Sequence, residues 1–192
     1  MEDNRLMEFG TKRRPLIETA ALIAYQAHAG QVRKDDGSPY FIHPCMVAMK
    51  LAQNGFDATV VAAGFVHDVI EDTSIKTAEL EKLLGPQVVE LILHLTEDKS
   101  LAWEDRKQKY ADGILSAPIG AKAVSVADKI HNLESLLAAH ESQGHKVWEA
   151  FSRGKEKKIW FEKTVLAALQ ETWSHPLVVE YACLVAQLEA RS

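Results

Sequence analysis

His67-Asp68-Val69-Ile70-Glu71-Asp72 decides how this chain is read. On a helix His67 and Glu71 lie four apart and share a face, and Asp68 and Asp72 repeat the arrangement one position on. The segment before them, Val60-Val61-Ala62-Ala63-Gly64-Phe65-Val66, is apolar on every side and reads as a buried helix. One helix from Ala58 to about Ile70 then carries an imidazole and several carboxylates to the edge of the core, where uncompensated acids are costly. A metal ion is the simplest compensation, because neutral imidazole and ionised carboxylate are ligands that divalent Mn, Fe or Zn accept.

Outward from that helix, every readable segment is helical. Asn54-Gly55-Phe56-Asp57 closes a helix running from about Cys45, and Asp57 caps the next. Pro44 suits a first helical position, which holds His43 at a helix entrance. Upstream, Leu16 to Ala29 is free of Gly and Pro and ends at Gly30, while Gln31 to Tyr40 carries turn residues and the Arg33-Lys34 pair and reads as a loop. Downstream, Thr77 to Leu84 and Pro86 to about Leu95 are helical, and Trp103, Arg106 and Tyr110 have helical spacing in a more polar stretch. Ala121 to Asp128 is a second apolar run ending in an acid, continuing through Asn132 towards His140 with Gly144 as its stop. Lys155 to Lys158 reads as an exposed helix face, and helices follow to about Leu188 on either side of Ser174-His175-Pro176. No β pattern or repeat competes, so the expected fold is an all-α bundle of about 8–10 helices.

Composition narrows the function classes. With 192 residues, 47% hydrophobic and 26% charged, the chain fits one globular unit, expected over 11–192 after a flexible segment at 1–10. A net charge of -5 gives no basic field for nucleic acid, so any phosphate ligand is expected to be small. Two distant cysteines, Cys45 and Cys183, signal neither a disulfide framework nor a zinc site and fit a reducing cytoplasm. No stretch has the roughly 18 apolar residues of a membrane span or signal-peptide character, so no membrane partner is expected.

His43, His67-Asp68 and Asp128 come from three separate helical regions, in the order H…HD…D. Longer strings accompany them: Gln31-Val32-Arg33-Lys34, Gly37-Ser38-Pro39-Tyr40-Phe41-Ile42-His43-Pro44, His67 to Thr73, and Ala127-Asp128-Lys129-Ile130-His131-Asn132-Leu133. Together they resemble the hydrolase domain of the RelA/SpoT alarmone enzymes, an HD-domain phosphohydrolase family, over most of residues 16 to 140. With no synthetase or regulatory stretch following, the resemblance is to the free-standing small alarmone hydrolases of Mesh1 type.

That resemblance implies that His43, His67, Asp68 and Asp128 bind one divalent ion, typically Mn2+, and that Glu71 and Asp72 are the catalytic acidic pair. It implies that Arg33 and Lys34 face the substrate and that Asn132 contacts the nucleotide. Ser135 and Trp160 are expected near the base. Ser125 and Trp103 depart from the family by standing where lysines are common, which implies a weaker hold on phosphate. The implied reaction removes the 3′-pyrophosphate of (p)ppGpp to give GDP or GTP and pyrophosphate. Alternatives on the same site are (p)ppApp hydrolysis, removal of the 2′-phosphate of NADPH, or nucleotide sensing without turnover. The oligomeric state is not legible in the sequence.

Overall fold

A computed structural model describes residues 14–33 and 36–191; the expected flexible segment 1–10 and Lys34 lie outside the described residues. Among the described residues ten α-helices follow in order: α1 Leu16–Ala27, α2 Ile42–Gln53, α3 Ala58–Val66, α4 Val69–Asp72, α5 Thr77–Leu84, α6 Pro86–Leu93, α7 Trp103–Ser116, α8 Ile119–Gln143, α9 Gly154–Thr172 and α10 Pro176–Ala190. A 3-10 segment, Gly144–Ala150, joins α8 to α9. The fold is all-α, and among the described residues there is no strand, only an isolated antiparallel bridge between Val32 and Pro39.

The core forms around α3 and α8. Because α3 is apolar on every side, it is surrounded by α1, α2, α6 and α8, and Val61, Ala62, Ala63 and Val66 are buried. Asp57 caps it, its Oδ1 accepting from the N-H groups of Thr59 and Val60 at 2.9 and 3.1 Å. The first half of α8 is buried continuously from Ala121 to His131, so the polar side chains of Ser125, Asp128 and Lys129 sit within the protein. Such groups require partners there.

Two of the boundaries that differ from the sequence reading concern the site. The helix expected over 58–70 is broken: α3 ends at Val66 and α4 begins at Val69, with His67 and Asp68 in the turn between. Their backbone stays in the right-handed helical region, and the Asp72 N-H still donates to the Asp68 carbonyl at 2.9 Å. The side chains therefore keep roughly helical directions while the chain bends. Helix α2 begins at Ile42, so His43 lies inside its first turn.

Close approach of α2 and α3 depends on Gly64. A Cβ there would lie 2.6 Å from Leu51 Cδ1 and 3.2 Å from the Ala48 Cα. The leucine tip can rotate but the backbone cannot, so Gly64→Ala is expected to force the helices apart and cost about 1–3 kcal/mol, outweighing the helix-propensity gain. Urea denaturation of the variant, showing a lower midpoint at unchanged slope, checks this.

Candidate metal centre and adjoining cavity

Three elements converge on one buried point. His43 from α2, His67 from the α3–α4 turn and Asp128 from α8 each offer a ligand atom, all within 4.8 Å of one another. Asp68 joins them: its Oδ2 lies 3.1 Å from His67 Nε2 and 3.6 Å from His43 Nε2. Asp128 Oδ1 lies 3.2 and 3.7 Å from His43 Nε2 and His67 Nε2. The four residues expected as ligands are thus brought together.

Their outer atoms are fixed by the fold. His67 Nδ1 is 2.9 Å from the Gly64 carbonyl, to which it donates, so the lone pair belongs to Nε2. That Nε2 is buried and makes no hydrogen bond, which a metal ion would remedy. His43 Nδ1 pairs with His131 Nδ1 at 2.8 Å, leaving its Nε2 directed at the two carboxylates. The Tyr40 hydroxyl donates to Asp68 Oδ2 at 2.6 Å, and Lys129 Nζ lies 2.8 Å from Asp128 Oδ2.

Electrostatics favour a cation at this point. Burial alone would lower the His67 pKa, but Asp68 and Asp128 outweigh it and hold it well above its usual value. Burial likewise opposes ionisation of Asp68, and the two imidazoles overcome it, holding that carboxyl below the usual range. At Asp128 the same penalty is overcome by Lys129 with both histidines. The potential that places a proton on His67 attracts a divalent ion to the same lone pair, and two imidazoles with two carboxylates fit such an ion.

The cluster opens into a chamber of ≈170 Å3, also lined by Tyr40, Glu71, Glu97, Lys107, Tyr110, Lys129 and Asn132. Glu71 is half-buried, with its Oε2 accepting from the Glu97 N-H at 3.3 Å. Burial pushes its pKa above the ordinary carboxylate value. Asp72 is exposed and held by Lys99 at 2.7 Å. It lines instead a larger cavity of ≈500 Å3, which shares Tyr40 and Asn132 with the chamber.

Arg33 and Asn132, 99 residues apart, meet on the wall of that cavity: both terminal nitrogens of Arg33 donate to Asn132 Oδ1 at 3.4 Å, while Asn132 Nδ2 donates to Asp128 Oδ1. Further cations line it, namely Lys146, Arg153 and Lys158. Ser125 is fully buried and bonded to the Tyr110 hydroxyl at 2.8 Å, and Trp103 lines the cavity. Lys158 corrects the expectation of a purely exposed basic face, because it turns inward to the fully buried Glu162. Ser135 and Trp160 line neither cavity; Trp160 packs on Trp103 with ring centroids 6.0 Å apart. Tyr40, Lys107, Lys129 and His131 join the site beyond the residues expected there. His131 and Lys129 stand inside the Ala127 to Leu133 string, whereas Lys107 carries no signal beyond helical spacing from Tyr110.

An α-helical bundle with this histidine–aspartate cluster defines a class, and the HD-domain family profile matches residues 20–153: the chain belongs to the HD-domain family. Within it, the chain is similar to mouse guanosine-3′,5′-bis(diphosphate) 3′-pyrophosphohydrolase MESH1, at 37% identity over 130 residues covering 66% of this chain and 72% of that one. It is 35% identical over 129 residues to a probable enzyme of the same activity from Synechocystis, covering 64% of this chain but 17% of that longer protein. A solved metazoan ortholog of SpoT, described as hydrolysing ppGpp, superposes with a TM-score of 0.77 at 26% identity, over 92% of this chain and 97% of that one.

Proposed function

We propose that this chain, as one unit over 11–192, is a metal-dependent hydrolase that removes the 3′-pyrophosphate of (p)ppGpp, releasing GDP or GTP and pyrophosphate. The observation that carries the reading is the junction of two cavities. A buried His43–His67–Asp128 cluster faces a small chamber, and the chamber shares Tyr40 and Asn132 with a cationic cavity of nucleotide size. The similarity to the MESH1 enzymes supports it.

His43, His67, Asp68 and Asp128 would hold one divalent ion; the donor set suits Mn, Fe or Zn, and Mn2+ is proposed on the resemblance to the alarmone hydrolases. When bound, the ion supplies a Lewis acid for a phosphoryl oxygen and acidifies water. Glu71 takes a proton from the attacking water as its oxygen bonds to phosphorus and the P–O3′ bond breaks; the 3′ oxygen leaves with the nucleotide and takes up a proton. Arg33, set by Asn132, stacks on the purine, and Lys146 and Arg153 face the 5′-phosphates. Lys34 is kept as a phosphate contact by resemblance alone. Ser135 and Trp160 receive no substrate contact, and Trp103 takes the place of the aromatic wall. The substrate is a small nucleotide and the proposed compartment the cytoplasm; among the described residues no helix is long and apolar enough to cross a membrane.

Product analysis with ppGpp, ppApp and NADPH under Mn2+ tests this. Pyrophosphate and GDP from ppGpp are expected; orthophosphate from NADPH alone, or alarmone binding without any product, would replace the reading. Arg33→Ala is expected to raise KM about 10-fold with kcat little changed, since stacking on the base is equal in ground and transition states. Unchanged parameters with both ppGpp and ppApp would remove Arg33 from base recognition.

A further inference from the structure

Lys107 is the cation whose position is not explained by the ligand set, the acidic pair or the nucleotide cavity. It extends from α7, an element that contributes no residue to the H…HD…D pattern, and lines the small chamber together with His43, His67, Asp68, Glu71 and Asp128. It is absent from the wall of the larger cavity. Its ammonium lies 4.5 Å from the centroid of the Phe161 ring and pairs with Glu97, a carboxylate that is itself only 7% exposed.

Neutralising Glu97 does not account for Lys107. Glu97 Oε2 already has the Arg106 guanidinium at 2.8 Å, and Lys107 takes the other oxygen. Glu97 thus acts as a fixed support that aims Lys107, while its backbone N-H holds Glu71 on the same chamber. Keeping the ammonium charged there is unfavourable, since burial first and the neighbouring Lys129 second lower its pKa. A cation held at such a cost among catalytic groups is a functional candidate.

The division of the site into two cavities assigns its partner. The larger one, ≈500 Å3, has room for the nucleoside and its 5′-phosphates, which leaves the ≈170 Å3 chamber for the 3′-pyrophosphate. We propose that Lys107 is a further catalytic residue of this chain, whose ammonium contacts the distal phosphate of the pyrophosphate being removed. This rests on the hydrolase reading above. Lys107 moves no proton: it offsets charge that gathers on the pyrophosphate as the new P–O bond forms and the P–O3′ bond breaks. A substrate carrying one phosphate at the scissile position has no distal group for it to hold.

The test uses the Mn2+-loaded full chain and inorganic pyrophosphate as probe. In the wild-type protein, pyrophosphate is expected to bind and to protect Lys107 from reductive methylation, read by peptide mass spectrometry. Lys107→Met keeps the stem over Phe161 and loses the charge. It is expected to weaken pyrophosphate binding by about 10-fold or more and lower kcat on ppGpp by about 10²-fold at unchanged metal content, with Lys107→Arg recovering part of both. The loss on a nucleoside 3′-monophosphate, where one is turned over, is expected to be much smaller. Absence of pyrophosphate binding, no protection of Lys107, or equal affinity in Lys107→Met would overturn the assignment. Should Lys107→Met fail to fold, protection in the wild type decides. Protection of Lys107 in a wild-type protein that leaves ppGpp intact would refute the hydrolase reading while sustaining the pyrophosphate contact.

Discussion

Asp128→Ala protein is expected to bind its divalent ion at least about 100-fold more weakly than the wild type and to lose turnover by about 10³-fold or more. The same result is expected for His67→Ala. Both follow from how the cluster is balanced. Asp68 and Asp128 approach the same two imidazole nitrogens at 3.1–3.7 Å, so an ion there meets two carboxylates at once, one of them held on its outer oxygen by Lys129. Removing Asp128 takes away a carboxylate and leaves the Lys129 ammonium, which burial disfavours, without the partner that holds it charged. Removing His67 instead opens the centre while leaving both carboxylates to repel each other. Elemental analysis after dialysis measures the ion, expected at about one per chain in the wild type. Undiminished metal in both variants would end the assignment of these residues as ligands.

The parts of this centre that the sequence exposed and concealed differ for a physical reason. The expected ligands are legible because His67-Asp68 and Asp128 each end an apolar run and His43 stands at a helix entrance, and a buried imidazole or carboxylate is rare without a partner. Helix types and most ends were legible for similar reasons, from period, from Asp57, and from the turn glycines Gly85 and Gly144, both with positive φ. What stayed hidden depends on groups distant in sequence. The break at His67 cannot be read locally, because both residues retain helical dihedrals. Tyr40 looked like a loop residue until its hydroxyl met Asp68, 28 positions away. Lys107 and Lys158 sit in stretches whose polarity suits a solvated face, and only the packing of α7 against α9 shows that one faces the chamber and the other the larger cavity. Ser125 looked like a missing cation, whereas its hydroxyl is occupied by Tyr110 inside the protein.

Glu71 and Asp72 are adjacent in sequence and were indistinguishable there, but the fold separates them, and this gives the second large expected effect. Glu71 faces the chamber of the metal cluster, while Asp72 turns to the larger cavity and holds Lys99 at 2.7 Å, against 3.6 Å from the same ammonium to the Glu71 carboxylate. Glu71→Gln is therefore expected to lower kcat by about 10²-fold or more with metal content intact, and Asp72→Asn by clearly less, because in the proposed mechanism only the first removes the base beside the reacting phosphate. The pH profile adds an independent check. A general base works in its ionised form, so activity is lost as pH falls through its pKa, and burial has raised that pKa at Glu71 above the ordinary carboxylate value. The acid limb of the wild-type profile should accordingly lie above the range of a solvated glutamate, and Glu71→Gln should abolish that limb in the residual rate. Asp72→Asn should leave the limb in place. If Asp72→Asn proves the more damaging and the acid limb survives in Glu71→Gln, the proton passes through the larger cavity, and Asp72 takes the role of base.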